Sequence, residues 1–333
     1  MRTIPLLTAL LLALCPAALA APNSNTASPV VLGTTQLDGQ NAKVGQTFTV
    51  GKQSPLNFTL TSAEFSASRV TIGKTTIAPG KDEKLLIVRF TVHNPQPKDV
   101  RFDANAFTFT AVDAQDVNHV AERFVARDGT AEEVAVNLKP AQKLAVLAVL
   151  KVPAKGVVPK LIVQREASAP VLRYDFAGGV KPLPAPFADS ADTSGATSLA
   201  VLTAAQGVAY PLKHLDVTFE GARFTTDAMQ GNAPGRGKRY LVVNVSLRNM
   251  TAQDAYVGLQ TLRPEARDAD GERTMFKTVL KASRDELVGT QVAPSDTLKV
   301  RYVFEVPADA TMDNVSFTDG GAHTLVFDVK NAK

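Results

Sequence analysis

The sequence predicts an all-β protein built as two antiparallel β-sandwiches in tandem, and three observations carry that prediction. The run Ala78–Asn94, APGKDEKLLIVRFTVHN, returns 155 residues later as Ala233–Asn249, APGRGKRYLVVNVSLRN. Apolar residues recur at every second position in many short segments, which is the period of a half-buried strand. Turn residues punctuate those segments, and long helical patterns are few. One folding unit has been duplicated. A chain of 333 residues accommodates two domains of ~130 to 150 residues, each able to bury its own core.

Met1 to Ala20 reads as a secretory signal. Arg2 is its positive start, Leu6 to Leu14 its apolar core, and Ala18-Leu19-Ala20 its small-residue cleavage site. That core is too short for a bilayer of ~30 Å, and no later stretch nears ~20 consecutive apolar residues, so no transmembrane segment is expected. The single cysteine, Cys15, lies inside the signal. Its neighbours Leu14 and Pro16 suit lipid attachment poorly, because a small residue is wanted before the cysteine. The mature chain then has neither thiol nor disulfide and relies on its hydrophobic cores. The expected location is the periplasm, the cell surface or the medium.

Residues 21–40 are rich in Asn, Ser, Thr and Gly and read as a flexible lead-in. The first domain spans residues 41–177. Leu56, Phe58 and Leu60 alternate with Asn57, Thr59 and Thr61, as Leu215, Val217 and Phe219 do with Asp216, Thr218 and Glu220 in the second copy. Long loops follow, Ser66–Lys84 and Thr225–Arg239; their Gly, Pro and cations predict solvent-facing, mobile segments. The repeated strands then place Leu86, Val88, Phe90 and Val92 on one face, matched by Leu241, Val243, Val245 and Leu247. A slip of one residue would exchange the two faces, so the register is firmly set. Asn94 and Asn249 end these strands in turns.

Phe107–Asp113 and Leu262–Asp268 are the next strands, closed by DAQD and DADG turns. Irregular stretches at His119–Asn137 and Met275–Gln291 suggest a helical turn in each copy. Pro140 and Pro294 introduce further strands, the second alternating cleanly to Pro307, which ends it by lacking a ladder donor. Its partner, Leu144 to Pro153, is apolar on both faces through Ala145, Leu147 and Val149. It is either covered on both sides or a contact surface for self-association through Leu144 to Leu150. Each copy closes on Leu-x-aromatic-Asp-apolar. Between the copies, the segment 178–198 reads as a linker with a semi-rigid PLPAP part and a flexible Ser-Gly part. The second domain spans residues 199–333.

The segments VGQTFTVGKQSPLNFTLTSAEF, LLIVRFTVHN and FTFTAVDAQ, and a Pro-introduced strand ending Val152-Pro153, resemble the bacterial exported domain-of-unknown-function family numbered 4352. The second copy is similar through YLVVNVSLRN, ARDADGE and Pro294–Pro307. That family in turn resembles an immunoglobulin-like secreted immunoprotective antigen. The resemblance implies two immunoglobulin-like sandwiches in an exported or lipid-anchored protein with a binding or envelope role. It supplies no catalytic residues.

The chemistry of the residues agrees with a binding protein. The net charge of +4 lacks the basic stripe of a nucleic-acid binder, so no nucleic-acid partner is expected. His93, His119, His214 and His323 are scattered singly, and no metal or cofactor is expected. Asp268-Ala269-Asp270-Gly271-Glu272 invites a calcium reading, but Arg273 and Val279 stand where a calcium loop needs Gly and Glu. GNAPGRGKR precedes a strand, so no helix N-terminus faces a phosphate there. No nucleophile elbow or phosphate loop is present, and no catalytic residue is expected.

One set of side chains remains as a candidate site. Lys81 and Lys84 in the first copy, and Arg236, Lys238 and Arg239 in the second, occupy corresponding loops. They suit an anionic cell-envelope component or a protein partner; equally, they suit solvated cations that guard an apolar strand from aggregation. The sequence thus predicts a non-catalytic exported binding or envelope-associated protein. The alternatives are a self-associating structural module and an exported hydrolase or metalloprotein with a loop-built site.

Overall fold

Every regular element of residues 37–333, which the computed structural model describes, is a β-strand. The segment expected to be an export signal, residues 1–20, and nearly all of the expected lead-in lie outside the described residues. The first sandwich opens with β1 (Gly39–Ala42), β2 (Thr47–Val50) and the long β3 (Leu56–Ser66). A small hairpin of β4 (Val70–Ile72) and β5 (Thr75–Ile77) leads into β6 (Glu83–His93). Short strands follow: β7 (Val100–Phe102), β8 (Thr108–Val112), β9 (Asn118–Val120), β10 (Val125–Arg127) and β11 (Val136–Leu138). The long β12 (Lys143–Pro153), β13 (Lys160–Gln164) and β14 (Val171–Asp175) complete it.

The second sandwich repeats this order. It runs through β15 (Val201–Ala204), β16 (Ala209–Pro211), β17 (Leu215–Thr225), β18 (Lys238–Asn249), β19 (Ala255–Val257) and β20 (Glu265–Asp268). Then come β21 (Arg273–Met275), β22 (Thr278–Lys281), β23 (Thr290–Val292), β24 (Thr297–Pro307), β25 (Met312–Phe317) and β26 (Thr324–Asp328). One sheet is β1-β14-β13-β8-β9, answered by β15-β26-β25-β20-β21. The other is β10-β12-β6-β3-β2, answered by β22-β24-β18-β17-β16. Even a bulge recurs at the same place, between Leu60 and Ser62 and between Phe219 and Gly221. The hairpin β4-β5 has no second-copy counterpart.

The repeated strands are the central members of their sheets. β6 lies between β3 and β12, and β18 between β17 and β24, all antiparallel. Leu86, Val88, Phe90 and Val92 point inward and are at most 1% exposed. Phe90 meets Phe58 and Phe109 with ring centres 5.1 and 4.9 Å apart. In the second core Phe219 stacks on Phe327 at 5.1 Å, and Tyr302 meets Phe317 edge-on at 5.5 Å. Fully burying each such side chain stabilises by ~1.5–3 kcal/mol, so the facing inner sides hold the two sheets together.

Asn94 and Asn249 do more than turn the chain. Each is wholly buried, and its amide donates to two carbonyls: Lys98 and Leu138, both at 2.8 Å, and Gln253 at 2.7 Å and Val292 at 2.8 Å. Each side-chain oxygen accepts from the backbone two residues on, Gln96 or Thr251. One residue thereby closes the strand and clamps the loop beside it.

Four expectations are corrected. Ser66–Lys84 is no free loop: Ile72 and Ile77 of the hairpin pack with Leu85, Ile87, Ala126, Leu147 and Val149 over the outer face of the sheet. Leu144 to Leu150 is consequently no contact surface. Leu144, Val146, Ala148 and Leu150 face the core, while Leu147 and Val149 lie under the hairpin. The irregular stretches hold strand pairs rather than helical turns, with bridges Ala126↔Glu133 and Leu280↔Leu287; sheet-edge pairing overrides the local propensity. The segment 178–198 is likewise pinned rather than flexible. Lys181 bonds both ways to β3, through Ala63 and Phe65, and Leu183, Phe187 and Ala196 are buried. The carboxylate of Asp192 holds its Ser-Gly turn, accepting from the Ser194 hydroxyl at 2.6 Å and the Thr197 backbone at 2.8 Å.

Candidate functional site

The five loop cations occupy different settings. Lys84, expected at the surface, is wholly buried at the start of β6. Its ammonium donates to the carbonyls of Ala154 at 3.2 Å and Gly156 at 2.7 Å, and lies 4.5 Å from the centre of the Phe65 ring. Burial pushes its pKa down to about 8, with Asp192 opposing the shift. Arg239 occupies the same position in the second copy. Its guanidinium stacks 3.5 Å from the Phe224 ring centre and donates to the Ala310 carbonyl at 2.8 Å. Both cations satisfy carbonyls just beyond a long strand, where the ladder has ended. They hold the framework and are not free to meet a ligand.

Lys238 is paired with Glu305 at 3.7 Å, and the same carboxylate holds Lys277 at 3.3 Å. Lys81 and Arg236 stand exposed, but they are far apart. Gly80, next to Lys81, bridges to Gly321 of the second sandwich. Arg236 sits beyond the opposite end of β18, whose 12 residues span roughly 40 Å at ~3.3 Å each. The far terminus of that strand leads to Gln253, which donates to the Lys74 carbonyl at 3.2 Å. The five cations therefore do not form one basic face.

The structure instead gathers side chains at the junction of the sandwiches, within the compact unit Asp38–Lys333. The hairpin β4-β5 reaches across it. Arg69, just before β4, has a side chain only 6% exposed, pairs with Asp216 of β17 and donates to the Leu212 carbonyl at 2.6 Å. A guanidinium so buried requires these partners. The buried His323 places Nδ1 2.7 Å from the Leu199 carbonyl, and its ring packs 5.4 Å from Phe187 of the inter-sandwich segment. Burial lowers its pKa. Two other histidines are held differently: His93 meets the Asn57 amide at 3.0 Å, and His119 meets Asp113 at 2.8 Å. Among the described residues no three metal-binding side chains converge.

Between the hairpin and the second sandwich lies a cleft of about 460 Å³, with Lys74 and Thr76 on one wall and His214, Asp254, Tyr256 and Thr261 on the other. Tyr256 is 61% exposed. It is held over Gly258, where a Cβ would come within 2.8 Å of the ring and 2.9 Å of its hydroxyl. Thr261 ties the turn beneath it, its hydroxyl accepting from the Gly258 amide at 2.8 Å and donating to the Tyr256 carbonyl at 3.3 Å. The side chains of Lys74, Asp254 and His214 form no hydrogen bond or ion pair with other described residues.

Sequence reasoning passed over Arg69, Lys74 and Tyr256. A signal for the first two existed: Val70-Thr71-Ile72, Gly73-Lys74, Thr75-Thr76-Ile77 is an alternating pair of strands about a two-residue turn. The first-copy loop is also four residues longer than its partner. Tyr256 had no such signal, because its exposure depends on the distant Gly289 strand edge and on Gly258.

No protein-family model and no curated protein matches the chain, so the likeness to family 4352 rests on the motifs alone. The chain is similar to several solved structures. One is an uncharacterized β-sandwich protein from Clostridium difficile, 19% identical, covering 37% of this chain and 91% of its own, with a TM-score of 0.30. Another is the YjhA protein from Bacillus subtilis, 16% identical, covering 40% of this chain and 99% of its own, with a TM-score of 0.29. Among the described residues no helix is long and apolar enough to cross a membrane.

Proposed function

We propose that this chain is a non-catalytic exported binding protein whose two immunoglobulin-like sandwiches act as one body and receive a cell-envelope component at their junction. The observation that carries this reading is the cleft itself, walled by both sandwiches and lined in part by Lys74, Asp254 and His214, whose side chains form no hydrogen bond or ion pair among the described residues. Clefts between domains are a common place for binding sites, and ~300–1,000 Å³ is their usual size. Arg69 and Asp216 hold the walls in register, so little ordering would be needed on binding. The motif likeness to the exported family 4352 points the same way.

The test is retention of the purified mature protein on envelope fractions. The unaltered protein and an Arg236→Glu variant should be retained, and Lys74→Glu should be released. An unaltered protein that washes through would overturn the envelope reading. Release by Arg236→Glu, with retention of Lys74→Glu, would move the site to the far loop.

A further inference from the structure

We infer that the junction cleft binds a neutral saccharide chain, one sugar ring stacking on Tyr256; this deepens the binding reading above and rests on it. Tyr256 offers a large rigid face at small entropic cost, since the ring sits on Gly258 and its turn is tied by Thr261. An exposed aromatic alone is unremarkable on a surface. Here it borders a cleft that also presents, without a hydrogen bond or ion pair among the described residues, a cation, a carboxylate and an imidazole: Lys74, Asp254 and His214.

The chemistry of those groups selects the ligand. The Lys74 ammonium only donates, a carboxylate such as that of Asp254 accepts, and the His214 imidazole, whose pKa is lowered by burial and by Lys213, donates from one ring nitrogen and accepts at the other. A sugar hydroxyl can do both and so satisfies every one of them. The opposed charges of Lys74 and Asp254 leave the cleft without the one-signed field that a polyanion needs. An apolar ligand would bury those charges unpaired, at a large cost. The apolar C–H face of a pyranose suits the Tyr256 ring, while its rim of hydroxyls suits the walls.

The protein carries its own probe. It has no tryptophan and five tyrosines; Tyr174, Tyr210, Tyr240 and Tyr302 are buried, which leaves Tyr256 as the exposed emitter. The full mature chain is titrated with cellohexaose, maltohexaose, xylohexaose and chitohexaose, and separately with polyphosphate. Iodide quenching of tyrosine emission and calorimetry are the readouts. At least one hexaose should shield Tyr256 from iodide and bind. Tyr256→Ala should weaken that binding about tenfold or more at an unchanged melting temperature, and Gly258→Ala should weaken it by displacing the ring. Asp254→Asn should weaken it severalfold, and Arg236→Glu should leave it unaltered. Binding of none of the hexaoses at millimolar concentration, or binding indifferent to Tyr256→Ala, overturns the saccharide site. If envelope retention still depends on Lys74 in that case, the junction reading stands and only the ligand class falls. Tight binding of polyphosphate alone would assign an anionic ligand instead.

Discussion

Lys84 and Arg239 hold the same post in the two sandwiches: each cation lies over a phenylalanine, Phe65 or Phe224, and donates to carbonyls just past the last long strand. The device is the same in both sandwiches, but its exposure differs. Lys84 is sealed at the junction, whereas Arg239 remains partly open.

That difference predicts a pH effect. The folded pKa of Lys84 is pushed by burial to about 8, below the unfolded value of 10.5. Between those values the unfolded chain keeps a proton that the folded chain has shed, so stability from this group rises with pH. The buried hydroxyls of Tyr174 and Tyr302, their pKa values raised by burial, act in the opposite sense near and above pH ~10. The comparison therefore belongs between pH ~7.5 and ~9. The urea midpoint should rise more in the unaltered protein than in Lys84→Met. Parallel midpoints would mean that Lys84 is not a buried charge.

Arg69→Ala should separate the sandwiches. It leaves Asp216 beside the junction without its guanidinium and frees the Leu212 carbonyl, a loss of about 3 kcal/mol for a buried pair. Calorimetry should resolve two transitions where the unaltered protein shows one. A single transition at an unchanged temperature would show that the segment 178–198 holds the sandwiches together without help.

Asn94→Ala and Asn249→Ala should each cost about 3 kcal/mol, because two buried carbonyls and one amide lose their partner at once. Urea unfolding measures this. The two costs should be similar, since the two amides make corresponding bonds; a loss under ~1 kcal/mol in either would mean that water takes the place of the amide.

Ile77→Asp should expose what the hairpin covers. Leu147 and Val149 would lose part of their cover, and an uncovered apolar sheet face invites association. Sedimentation velocity should give a monomer for the unaltered protein and larger species for the variant. A monomeric variant would show that the remaining hairpin contacts suffice.

The fold was legible wherever a short-range pattern decides structure. Alternation in Leu86–Val92 and Leu241–Leu247 identified the core faces, and the recurrence of Ala78–Asn94 matches the corresponding strand orders of the two sandwiches. The site was less so. A lysine in a Gly-Pro loop reads as solvated, and the burial of Lys84 depends on Ala154 and Gly156, some 70 residues away in sequence. The same holds for Leu147 and Val149: both faces were readable as apolar, but the identity of the cover, Ile72 and Ile77, is a fact of tertiary packing. Asp192 and Thr197 show why the Ser-Gly segment misled, since a polar turn that bonds to itself has the composition of a tether.

The parallel pairing of first and last strands sets an order of assembly. β1 lies beside β14 with Gly39 opposite Val171, and β15 beside β26 with Val201 opposite Thr324. Neither sandwich can seal its edge until almost its whole length is available. Contacts of such long sequence separation slow folding, because loop closure precedes the reward. An emerging chain would therefore stay open until the stretch around Tyr174 joins it, so the edge of each sandwich closes last.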